Sequence, residues 1–120
     1  MEAWQLGMQL VEAVYALARQ LPREELYGLS AQLRRAAIAI PSSVAEGQQH
    51  GFGKNYLRYL AMALGSEAEV QTQLELVVRL KFAPEDRVRP VLDLASRTGQ
   101  VLRGLKRSVR RRILRNAPGP

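Results

Sequence analysis

The sequence contains no cysteine and a single histidine. Disulfide scaffolds, thiolate zinc sites, iron–sulfur clusters and cysteine nucleophiles are thereby excluded. Aromatic residues make up only 6% of the chain, and none follows Phe82. Long apolar runs are missing as well. The longest purely aliphatic stretch is Ala36 to Ile40, far short of the roughly 20 residues that cross a bilayer. The start, Met1-Glu2-Ala3-Trp4, lacks the basic residues and apolar stretch of a secretory leader. No membrane association and a cytoplasmic location are the expectations. Strand signals are scarce too, because apolar and polar residues alternate for no more than a few positions at a time. The last absence is local. Residues 1–93 hold ten basic and eleven acidic side chains, whereas residues 94–120 hold eight basic and no acidic one. The net charge of +7 is therefore confined to the final quarter of the chain and points to an anionic partner.

What remains is a chain of 120 residues, the length of one domain with a modest core. Ala, Leu, Glu, Gln and Arg, all good helix formers, dominate. Breakers divide the chain into four segments. Leu21-Pro22-Arg23 ends the first, Gly47 to Gly53 separates the second from the third, and Ala83-Pro84-Glu85-Asp86 opens the fourth. Pro84 at a first turn, with acids behind it, suits a helix N-terminus. The spacing predicts helices over about 2–20, 29–47, 54–81 and 85–115. The predicted fold is all-α, an antiparallel up-down four-helix bundle over residues 1–115, with 116–120 as a disordered tail.

Each predicted helix has a distinctive face. In the first, Trp4, Leu6, Met8, Leu10, Val11, Val14, Tyr15 and Leu17 fill an arc wider than one bundle core needs. The surplus predicts a second buried side, against another subunit or against its own bundle partners. The second helix is rich in Ala and Ser and carries Pro41 inside its pattern, which predicts a kink at Pro41 or a break into two helices. In the third, Glu67 and Gln71 fall within the apolar arc. A carboxylate facing a core must be paired or lifted to its edge, and Arg34 and Arg35 of helix two are the expected partners for Glu67 or for Glu69.

The fourth helix carries the strongest chemical signal. Val88, Val91, Ala95, Thr98, Leu102, Leu105, Val109 and Ile113 form its apolar stripe. Arg103, Lys106, Arg107, Arg110, Arg111, Arg112 and Arg115 occupy the rest of its C-terminal half. Such a helix can neutralise several phosphates, with largely sequence-independent and salt-sensitive affinity. No aromatic residue in the segment can stack on bases, so contact with the phosphate backbone or duplex shape is the expected mode. The competing reading is a solvated helix end that suits the macrodipole. Nothing supports catalysis. His50 stands alone in a glycine-rich turn, without a second His or a Cys to build a metal site. The run from Gly47 to Asn55 only superficially follows a phosphate-binding loop, being one residue too long and lacking the Ser or Thr. Lys54, at the start of helix three, could still meet a phosphate. No cofactor is expected.

Two blocks of sequence carry a resemblance. The first is the run Ser30-Ala31-Gln32-Leu33-Arg34-Arg35-Ala36-Ala37-Ile38-Ala39-Ile40-Pro41-Ser42-Ser43-Val44-Ala45-Glu46-Gly47. The second is Tyr59-Leu60-Ala61-Met62-Ala63-Leu64-Gly65-Ser66, followed by Glu69 and Thr72-Gln73-Leu74-Glu75. With Trp4 and Tyr27-Gly28-Leu29, they resemble the four-helix-bundle proteins encoded within intervening sequences of bacterial 23S ribosomal RNA genes, over about residues 4–108. The resemblance implies a ring-like homopentamer with a central channel and no established enzymatic activity. It also implies a fold similar to the accessory proteins of diversity-generating retroelements, which associate with a reverse transcriptase and its RNA. The motif residues Arg34, Arg35, Pro41, Glu46, Gly47, Ser66 and Glu69 read as structural. The expected function is that of a non-enzymatic homo-oligomer, a pentamer, that binds nucleic acid, RNA before DNA, through its basic C-terminal helix. The alternative expectation is an accessory subunit that docks on a reverse transcriptase and guides its RNA template.

Overall fold

The computed structural model describes residues 1–51 and 53–116. The tail Ala117-Pro118-Gly119-Pro120, whose disorder the sequence predicts, lies outside the described residues. Four helices follow one another: α1 (Glu2–Ala18), α2 (Leu29–Gln49), α3 (Lys54–Arg79) and α4 (Glu85–Arg115). A single 3-10 turn, Arg23–Glu25, lies between α1 and α2.

Contacts between distant residues fix the topology. Gly7 of α1 meets Pro41 of α2, and Gly47 of α2 meets Tyr56 and Tyr59 of α3. Glu67 of α3 meets Gly99 of α4, and Arg87 of α4 donates to Gln20 just past α1 at 2.6 Å. The first, second and fourth of these contacts each join the first half of one helix to the end half of another, and the short connection from Leu80 to Pro84 reverses the chain between α3 and α4, so the bundle runs up-down-up-down. The helices pack in the cyclic order α1–α2–α3–α4. Leu10, Val14, Leu33, Ile40, Val44, Leu60, Val70, Leu74, Val77, Val88 and Leu102 form a fully buried core. Replacing one of its leucines with alanine costs about 2–5 kcal/mol.

The helix ends show how the chain turns. At the start of α2, the Leu29 amide donates to Glu25 Oε1 at 3.1 Å, which satisfies one of the free amides of that end. At the end of α3, Lys81 takes φ 60°. The Phe82 amide donates to the Val77 carbonyl at 3.0 Å and the Lys81 amide to Val78 at 3.0 Å. This is a left-handed cap with paired backward hydrogen bonds, and it ends the helix two residues earlier than periodicity alone suggests.

Two expectations are corrected. First, α2 passes through Pro41 as one unbroken helix instead of splitting in two. Pro41 is buried and its ring lies against Gly7, where even a Cβ would stand only 3.3 Å away. Packing on α1 holds the helix across the missing hydrogen bond. Second, Arg34 and Arg35 form no ion pair with Glu67 or Glu69. Arg34 turns back toward the 3-10 turn, donating to the carbonyls of Ser30 and Leu26, each at 3.2 Å, with its guanidinium 5.8 Å from the Tyr15 ring centre. Arg35, Glu46 and Glu69 are exposed. Glu67 is 3% exposed and lies on the other side of α3, against α4, where it accepts a hydrogen bond from Gln71. The two polar residues that interrupt the apolar arc thus satisfy each other.

Candidate nucleic-acid interface

The longest helix, α4, has 31 residues and spans roughly 46 Å at 1.5 Å per residue. The start of α1 meets it partway along: Met1, Glu2 and Ala3 line a depression with Val101, Gly104 and Leu105. Residues 106–115 run beyond that point. They are not a free arm, because Val109 is buried and Ile113 half-buried against the core. The amphipathic pattern of α4 therefore holds to its end, and the residues off the apolar stripe face solvent.

Arg103, Arg107, Arg110, Arg111, Arg112 and Arg115 are exposed and Lys106 is half-buried. Arg89 pairs with Glu85 at 2.5 Å and Arg97 with Glu2 at 3.6 Å. Arg103 differs from the others. A Cβ on Gly99 would stand 2.7 Å from Glu67 Oε1 and 3.3 Å from Arg103 Nη1. The two charges are thus no more than about 6 Å apart, within Coulombic reach of each other. Arg103 thus lies near the buried carboxylate, and the basic tip proper begins at Lys106.

The same end of the bundle holds residues that the linear sequence does not group with α4. Gln48 at the end of α2 donates to Met1 Sδ at 3.2 Å, and the Tyr56 hydroxyl donates to that sulfur at 4.0 Å. Since Met1 also lines one depression with Gly104 and Leu105, the α2–α3 turn and the basic half of α4 share one end. In that turn, His50 stacks on Tyr59, with ring centres 5.2 Å apart and planes 16° from parallel. The Arg58 guanidinium lies 5.5 Å from the Tyr59 ring centre. Sequence reasoning treats His50 as a solvated turn residue. The only linear hint of the stack is Gly47, which lets Tyr59 lie so close to α2 that a Cβ there would meet Tyr59 Cβ at 2.9 Å.

A second surface has a different character. Trp4, Met8 and Val11 of α1 and Ile38, Pro41, Ser42 and Ala45 of α2 line an apolar groove. Trp4 is 39% exposed, and Met8 and Ile38 are each 42% exposed. The opposite face of α1 carries Ala3, Leu6, Leu10, Val14 and Leu17 into the core. The wide apolar arc of α1 is therefore divided between the core and this groove. No helix among the described residues is long and apolar enough to cross a membrane.

Comparison with solved structures finds a close likeness in fold. A protein of unknown function from the S23 ribosomal protein family of Bacteroides thetaiotaomicron superposes with a TM-score of 0.80. It is 17% identical, and the match covers 87% of this chain and 97% of that one. No match was found among curated proteins. The family described as 23S rRNA-intervening sequence protein matches residues 1–104, which takes in all of α1 to α3 and stops just before the basic tip. The chain belongs to the 23S rRNA-intervening sequence protein family.

Proposed function

We propose that this protein is a non-enzymatic homo-oligomer, a pentamer, that binds the phosphate backbone of RNA through the C-terminal half of α4. The observation that carries this reading is the segment from residue 94 onward, with eight basic side chains and no acid. Its arginines stand exposed along one rigid helix. A fixed helix presents its charges together, so that several phosphates can be met at once and their counterions released. RNA is preferred to DNA because the family takes its name from an intervening sequence of 23S rRNA. The oligomer rests on the apolar groove of α1 and α2 and on the family resemblance.

A salt titration of RNA binding tests the proposal. Affinity should fall steeply with salt. Removing one phosphate-binding side chain should reduce the log–log slope by about 0.7 for a single strand and about 0.9 for B-form duplex DNA. Replacing Arg107, Arg110 and Arg111 together with alanine should flatten the slope without unfolding the helix, since alanine is the better helix former. No binding at low ionic strength, or a slope unchanged in that variant, would overturn the reading.

A further inference from the structure

We infer that His50, backed by Tyr59, is a stacking platform for an unpaired base of a single-stranded RNA whose phosphates lie on the α4 tip. The inference rests on the phosphate-binding reading and adds a base contact that α4, lacking aromatic residues, does not supply. Tyr59 covers one face of the imidazole in a near-parallel stack, while His50 itself is exposed. Tyr59 is half-buried and pressed against Gly47, so the backing ring is held while the outer ring meets solvent. Such a pre-ordered flat surface loses little conformational freedom when a base stacks on it.

The surroundings suit a strand and not an isolated ring. Arg58 lies over Tyr59, and Lys54 is exposed one turn earlier on α3; both can meet phosphates next to the stacked base. Gln48 and Gln49 are exposed immediately before His50 and offer amides to base edges. Through Met1, which accepts a hydrogen bond from Gln48 and lines one depression with Gly104 and Leu105, this turn and the basic half of α4 belong to one end of the molecule. Basic grooves that follow the backbone, interleaved with aromatic rings that take bases, are the usual arrangement for single-strand binding without sequence preference.

The test uses the whole protein with two probes, a single-stranded oligoadenylate and an abasic oligomer of the same length and charge. His50→Ala removes an exposed ring and leaves the core intact. It should weaken oligoadenylate binding by roughly fivefold or more and leave the abasic oligomer unchanged. Because His50 is the only histidine, its imidazole proton resonances are directly assignable. Oligoadenylate should shift them upfield by ring current, and the abasic probe should not. Equal effects of His50→Ala on both probes, or unmoved imidazole resonances, would overturn the platform while the phosphate reading stands, provided the Arg107, Arg110 and Arg111 variant weakens both. Failure of the parent protein to bind either probe would overturn both readings.

Discussion

Burial pushes the Tyr56 phenol above its ordinary value of 10.0, and a hydrogen bond with Gln48 opposes the shift. Tyr56 is 2% exposed and sits where α1, α2 and α3 meet. The folded protein keeps this proton at a pH where the unfolded chain has given it up. The resulting stability is fully present below pH 10.0 and is lost as pH rises through the folded value. Tyr56→Phe should therefore lose less stability than the parent above pH 10.0, while costing about 1 kcal/mol below it because the hydroxyl and its hydrogen bonds are gone. Urea midpoints of the two proteins on either side of pH 10.0 check this, since the difference cancels the titration of groups they share. Parallel curves would show that Tyr56 does not ionise within the transition. The same scale shows what a linear pattern conceals. The sequence marks Glu67 and Gln71 as polar intruders on an apolar face, yet their meeting depends only on their four-residue spacing. That Glu67 lies against Gly99 of α4 and not toward Arg34 depends on which side of α3 the neighbour stands.

At the scale of the helices, two glycines make opposite predictions from the same chemistry. Glycine inside a helix costs about 0.5–1 kcal/mol relative to alanine. At Gly65 a Cβ would meet nothing within 4 Å, so Gly65→Ala should stabilise by about that amount. At Gly47 a Cβ would stand 2.9 Å from both Tyr56 Cδ1 and Tyr59 Cβ. Tyr59 Cβ is tied to its backbone and cannot swing aside, so Gly47→Ala should destabilise by about 1–2 kcal/mol despite the better propensity. Thermal unfolding of both variants settles the signs, and a stabilising Gly47→Ala would mean that α2 and α3 can slide apart cheaply. The helices themselves were legible because apolar residues recur at helical spacing and because proline and glycine punctuate the chain. The four predicted spans lie within two residues of those observed. The missed parts are those set by three-dimensional neighbours. Lys81 takes a left-handed conformation with no glycine to announce it. Pro41 reads as a kink or a break, yet α2 continues through it as one helix packed on Gly7. The stack of His50 on Tyr59 needs the turn at Gly51, with φ 73°, before two residues nine apart can meet.

For the molecule as a whole, charge and apolar surface are separated. The basic tip lies at one end of a particle 59 Å long, and the apolar groove of Trp4, Met8 and Ile38 runs along one side. In a monomer a large part of these half-exposed side chains stays in water. In a closed ring each subunit covers its neighbour's groove, and burial contributes about 25 cal/mol per Å² of apolar area. Met8→Glu places a charge on the exposed side of α1, away from Leu6, Leu10 and Val14, and so should leave the subunit folded. For the pentamer proposed above, the parent should sediment at about five times the chain mass of 13.4 kDa. Met8→Glu should sediment as a single chain with unchanged helical circular dichroism. It should also bind RNA more weakly, because five linked tips of the proposed pentamer would raise the effective concentration of each for a shared strand. Dissociation should leave the α4 surface of each chain intact, so that weaker binding with an unaltered Arg segment measures linkage alone. A parent that sediments as a monomer would overturn the ring. A Met8→Glu protein that stays fully assembled would move the interface to another face.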